Sequence, residues 1–556
     1  MAGEARGAGL VARLKLTPQE GAAAKLEVEL NYLAARRVDH ERIALTLPGQ
    51  GWALGRDLQW TRLVSPLRID RGTPGVALVR PRGGVGVVVT AGRGVVAALY
   101  TPRPEADAVD VVLVLDDAAS RPFTTYEHCG TAWDPADEVH REAHRAIARA
   151  AGEVLRGEAM LCLLDPGVDF TPLIVERWPE GREAAVVFTD HADRTDPRAL
   201  RAVLYGASDA ALPGYGKAGF FGHGLKLTKT FFLFGGVGTL EGDAEAAILA
   251  DEIVAAGSEV GSHSITGHAD SCEAVKRGLP AYARLSAVTW IDHQPDTNCE
   301  ALANLGWSDD ARYAIHALLA AAGFRWVWSA SDVASGESGW LHNLYVPEHA
   351  SEAAPPIYPL PSDPRLWVFR ASWFYEPPRV LAAAMSEAAL GKLERERGLF
   401  VGHCYLSASP RTTKNEEHNR RNLVHVAGDG SMRLDPAFDA ALARLAHHVT
   451  DGRLASLTWR EAGDRLLALA DVEVTYFGDG SARIHNRGMA AVSGLTVAVP
   501  AKGVKLTITG APLGGERHDE GRATAWFDLP AGAVVTLSSS PAGFARGGKL
   551  TVEVAP

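Results

Sequence analysis

The sequence predicts an α/β protein: a mainly parallel β/α barrel with a β-rich domain on each side. Three observations predict it. From about Trp178 onward, short apolar runs alternate with helical segments. Several of those runs end in Asp or His. Before and after this stretch, the pattern changes to short β runs between Gly-rich turns. The expected domains are 1–177 (β-rich, α+β), 178–470 (β/α barrel) and 471–556 (β-sandwich).

In the first domain Lys25–Leu30 alternates with period two, and Gly86–Val89, Val95–Leu99 and Val109–Leu115 read as strands. Asp134–Gly157 reads as a helix opened by Asp134-Pro135, with Val139, Ile147 and Val154 on one side and Gly157 closing it. Met160–Leu164 reads as a strand and Tyr126-Glu127-His128-Cys129 as a loop.

In the middle domain the expected strands are Ala184–Thr189, Thr230–Phe234, a short one at Val260, Ala287–Ile291, Phe324–Trp328, Leu366–Phe369, Leu399–Val401 and Leu454–Trp459. The expected helices are Ala244–Ala256, Glu273–Arg284, Asp309–Ala322, Arg379–Arg397 and Pro436–Val449. Seven or eight such units favour a closed or nearly closed barrel, whose working groups sit where the strands end. Asp190, His191 and Asp193 follow one strand, His263 and His268 another, and Asp292 and His293 a third. Asp332 and His403 follow two more. The Pro-rich run Ala354–Pro361 is a rim loop or a plain surface connection. Gly219–Gly224 lacks the spacing of a phosphate loop. Beyond Val472, short β runs with Gly/Asp turns predict a β-sandwich.

A net charge of −11 and a pI near 6.0 argue against nucleic acid or an anionic membrane as partner. Five scattered cysteines without CxxC spacing argue against a disulfide framework or a zinc ribbon. No apolar run reaches the length of a membrane span, and Met1–Leu16 lacks a signal-like apolar core. The chain as given reads as cytoplasmic, with export left open.

The histidine pair in Ser262-His263-Ser264-Ile265-Thr266-Gly267-His268 is placed to hold a divalent metal, because imidazole suits Zn, Fe, Ni or Co. The Asp and His residues of Val187–Asp193 are candidates for a third ligand.

Taken together, three motifs resemble the polysaccharide deacetylase (NodB-homology, carbohydrate esterase family 4-like) superfamily. Val187-Phe188-Thr189-Asp190-His191-Ala192-Asp193 is similar to its strand-TFDDG motif, His263-Ser264-Ile265-Thr266-Gly267-His268 to its metal pair, and Leu399–His403 to its acid-histidine strand. The resemblance covers roughly Trp178–Leu469. It departs in the five-residue histidine spacing, in Asp190-His191 standing for Asp-Asp, and in Trp290–Pro295 standing where an Arg motif is expected.

The resemblance implies a distorted (β/α)7-type barrel and one divalent ion, zinc being expected. His263 and His268 would be ligands, with Asp193 ahead of His191 as the third. Asp190 would be the base and His403 the acid of an amide hydrolysis, most simply deacetylation of an N-acetylated carbohydrate. Small-amide hydrolysis of the allantoinase-like type and an inactive carbohydrate-binding protein are the alternatives. Asp292, His293 and Asp332 read equally as rim structure or as functional groups.

Overall fold

The computed structural model describes residues 2–7, 9–19, 23–54, 59–72, 75–121, 123–128, 138–143, 146–164, 173–268, 270–293, 315–328, 332–335, 341–345, 355–360, 363–373, 378–410, 422–477, 481–500, 504–519, 521–541 and 551–555. It divides into two compact units. One comprises Met1–Ala118, Arg145–Gly181 and Asp464–Pro556; the other comprises Ala119–His144 and Arg182–Gly463.

The first unit is built of mainly antiparallel sheets, with Val504–Thr509 and Thr551–Ala555 paired in parallel. Its largest sheet places Val154–Leu164 between Ala23–Tyr32 and Gly86–Ala91. Val76, Leu78, Val88 and Leu164 share one core with Leu495, Val497, Phe527 and Val535, so chain from both ends of the sequence packs together. The helix expected over Asp134–Gly157 is replaced by strands Glu138–Ala143, Ile147–Arg149 and Val154–Leu164. Cross-strand pairing along Val154–Leu164, on both of its edges, outweighs the helical spacing of three apolar residues. Tyr126, Glu127 and His128 also lie in a strand, Phe123–His128, rather than a loop; Cys129 falls outside the described residues.

The second unit contains the candidate site. Its central sheet runs in parallel from Leu399–Cys404 through Ala184–Asp190, Thr228–Phe231, Glu259–His263 and Thr289–Ile291 to Trp326–Trp328 and Asp363–Phe369. Ala184–Asp190 is buried at every position, as a parallel strand covered on both faces requires. Helices pack outside it. Pro197–Tyr205 starts on an Asp196 carboxylate that accepts from the Arg198 N–H, and it stops at Gly206 with φ 87°. Asp243 and Asp435 cap Ala244–Ala255 and Pro436–Thr450 in the same way.

The α/β class expected for the chain is corrected. Among the described residues strand exceeds helix, and the strands are spread over many sheets. The central sheet is mixed, not a (β/α)7 array of parallel strands. Ile357–Leu360, inside the Pro-rich run, lies antiparallel on Asp363–Phe369, and Leu454–Ser456 pairs off the main path with Ala184–Val186. The alternating middle stretch supplies most of the helices, whereas both flanks contribute almost only strands, so strand dominates. Among the described residues no helix is long and apolar enough to cross a membrane.

Candidate functional site

Parallel pairing puts the ends of neighbouring strands side by side, and the side chains that follow them meet there. Asp193 is the hub. Its Oδ2 accepts from His263 Nε2 at 2.8 Å, and its Oδ1 lies 3.2 Å from His293 Nε2. Burial raises its pKa, but the bonds from His263 and His293 outweigh it and hold the carboxyl well below its usual range. The Asp193 side chain retains 32% exposure, so the group stays ionised and open to solvent on one side.

His263 ends its strand fully packed, its ring stacked on Phe232 at 4.9 Å. Its Nδ1 lies 3.3 Å from the Ile291 carbonyl, and burial holds its pKa low although Asp193 opposes the shift. The next residue, Ser264, takes φ 53°, a left-handed conformation uncommon outside glycine. That turn lets Ser264 Oγ accept from the His293 N–H at 2.9 Å, tying the two histidine-bearing loops together.

A second group adjoins the first. His191 stacks on His403 at 3.9 Å and meets His263 edge-on at 5.1 Å. Trp328 packs edge-on against both His191 and His403, and Tyr405 Oη lies 3.0 Å from His403 Nε2. His191 is 1% exposed, and its Nδ1 has no hydrogen-bond partner among the described residues. Burial, then His403 and His263, hold the His191 pKa well below its usual range.

Of the residues singled out in the sequence, His191, Asp193, His263, His293 and His403 come together. Asp190 and His268 do not join them. The Asp190 carboxylate is fully buried and engaged by Lys229 Nζ at 3.1 Å and by Ser407 Oγ at 2.7 Å. His268 is exposed, because Asp270 accepts from the N–H groups of Ile265 and Thr266 and from Thr266 Oγ1, folding the loop so that this ring faces solvent. Asp292 accepts from the Trp290 indole at 2.8 Å. The side chain of Asp332 lies outside the described residues. Phe232, Trp328, Tyr405 and Lys229 were not singled out. Lys229 left a signal, a cation within the apolar run Leu227–Leu233.

The donor types around Asp193 suit a divalent ion. Both Nε2 atoms are turned onto the carboxylate at hydrogen-bond distance, and His268 lies outside the cluster. Among the described residues no group of three or more His, Cys, Asp or Glu side chains is arranged to hold a metal. His268, expected to pair with His263, is therefore not beside it, and no step below runs through an ion.

No family model matches the chain, and no curated protein matches it. Among solved structures it is similar to the Slr1438 protein from Synechocystis sp. PCC 6803, at 7% identity and TM-score 0.12, over 28% of this chain and 54% of that one. The match thus spans about half the length of Slr1438. It is also similar to TtGalA, an alpha-galactosidase from Thermus thermophilus in complex with stachyose. That match has 13% identity and TM-score 0.23, over 84% of this chain and 99% of that one. Likeness this slight carries no argument about the site.

Proposed function

We propose that the chain is a hydrolase that removes an acyl group from an amide, with an N-acetylated carbohydrate as the substrate class. The observation that carries the reading is Asp193, a half-buried carboxylate bonded to two imidazoles beside a second imidazole pair at the strand ends. The substrate class rests on the motif resemblance described above.

In this reading Asp193 accepts a proton from the attacking water, while His263 and His293 hold the carboxylate in place. His403, joined to Tyr405, supplies a proton to the leaving nitrogen as the C–N bond breaks. The products are a carboxylate and a free amine. Phe232 covers His263 and Trp328 covers His191 and His403, which strengthens charge interactions among these rings, while Asp193 stays open to the attacking water on one side. Asp190, sealed under Lys229 and Ser407, is left out of proton transfer.

The test is a mass-spectrometric screen of N-acetylated sugars and small amides. Acetate release is expected, falling ~10²–10⁴-fold in Asp193→Asn. Equal turnover by Asp193→Asn and the parent chain would sink the assignment of the base.

A further inference from the structure

Lys229 is a fully buried cation whose position the chemistry above does not use. It lies beside Asp190 in the parallel register, so both side chains project from neighbouring strands at one level. Its ammonium reaches Asp190 Oδ2 at 3.1 Å, Thr195 Oγ1 at 2.8 Å and the His191 carbonyl at 3.0 Å. Those three acceptors lie at the two ends of one turn, Asp190–Thr195, and that turn carries both His191 and Asp193.

The other side of the same turn is fastened to the chain that follows His403. The His191 N–H donates to the Cys404 carbonyl at 2.8 Å, Asp196 N–H to Ser407 O at 3.0 Å, and Ser409 N–H to Arg194 O at 2.8 Å. Ser407 Oγ donates to Asp190 Oδ2, so one carboxylate oxygen is shared by the lysine and by the segment carrying Tyr405. Within the turn Arg194 adopts φ 58°, a conformation that this fastening must hold. Without the lysine, the buried Asp190 carboxylate would lose its counter-charge and the His191 carbonyl would lose this hydrogen bond.

We propose that Lys229 is a positioning residue: its ammonium, clasped by Asp190 and Thr195, fixes the Asp190–Thr195 turn so that Asp193 meets His263 and His191 meets His403. The clasp rests on the reading that this cluster is the working site, but its test does not need a known substrate. A side chain that sets the place of others controls rate through geometry, where a displacement of about 1 Å can cost about a hundred-fold.

The experiment uses the full chain labelled with ring-¹⁵N histidine, with the His191 and His263 signals assigned from His191→Gln and His263→Gln. In Lys229→Met both signals are expected to shift. In Leu249→Ala, a cavity variant in the helix Ala244–Ala255, stability falls and both signals stay in place. A folded Lys229→Met with unmoved His191 and His263 signals overturns the proposal. If Lys229→Met does not fold, the neutral pair Asp190→Asn/Lys229→Met is read instead; shifted signals support the clasp and unmoved ones overturn it. Shifted signals in a protein that hydrolyses no amide would overturn the function proposed above and still support the clasp. Where amide turnover is found, Lys229→Met is expected to lower kcat by about a hundred-fold with little change in KM.

Discussion

The imidazoles of His191 and His403 lie face to face, their centroids 3.9 Å apart and their planes within 19°. Two rings held this closely in a buried place resist both being charged, which agrees with the depressed pKa of His191. Trp328 closes the edge of the stack, and Tyr405 reaches over it to His403. The stack joins the strand ends Ala184–Asp190 and Leu399–Cys404, which pair in parallel.

His191→Phe is expected to keep the stack and most of the stability, because a flat ring of similar size still fills the space; a change below about 1.5 kcal/mol fits a volume-conserving swap. His191→Ala opens a void under His403 and Trp328 and should cost about 2–4 kcal/mol. Denaturant unfolding of both variants is the check. Equal losses in the two would mean that the ring nitrogens, not the stacking, hold His191 in place.

His268→Ala is expected to be silent, within about 0.5 kcal/mol in stability and unchanged in turnover, since the ring is exposed and away from the cluster. His293→Ala should reduce turnover, because it removes one of the two imidazoles bonded to Asp193. Parallel assays of the two variants on one substrate decide the point. A loss in His268→Ala as large as that in His293→Ala would restore the pairing of His263 with His268.

The placement of these side chains follows partly from the sequence. His263, Asp193 and His403 could be found because each follows an apolar run whose pairing in a parallel sheet brings strand ends together. His268 was misplaced because a five-residue spacing says nothing of ring direction. The carboxylate of Asp270 decides that, by gathering the loop's N–H groups. Asp190 looked like a rim base, yet the second strand begins at Thr228 rather than Thr230, which sets Lys229 inside the sheet beside it. The stretch after Asp134 misled for a related reason: local spacing favoured a helix, and partners more than a hundred residues away in sequence made Val154–Leu164 a strand.

Dialysis against a chelator is expected to leave the melting temperature unchanged. Asp193, His263 and His293 satisfy one another by hydrogen bonds, so the loops do not need an ion to stay in place. A bound ion that tied them would add binding free energy to folding, and its removal would lower the transition. A drop of several degrees, restored by zinc, would show that the loops close differently around a metal.

Glu259 gives the clearest pH dependence away from the cluster. It is buried at the start of the strand Glu259–His263, accepting from Thr289 Oγ1 at 2.6 Å, Thr228 Oγ1 at 2.9 Å and the Arg460 N–H at 2.9 Å. Burial raises its pKa above the ordinary 4.5, and these three bonds oppose the shift without cancelling it. The folded state therefore binds the proton more tightly than the unfolded chain. Stability from this group is fully present below the unfolded value and is lost as pH rises through the raised folded one. Unfolding free energy should thus carry a falling component with pH that begins near 4.5. Glu259→Gln, which has no charge to bury, removes that component while giving up part of the hydrogen bonding. Its cost should therefore be largest at low pH and shrink toward neutrality, as measured by denaturant unfolding across the window. A cost that instead grows with pH would mean that the three donors lower the folded pKa of Glu259, reversing the sign of its contribution.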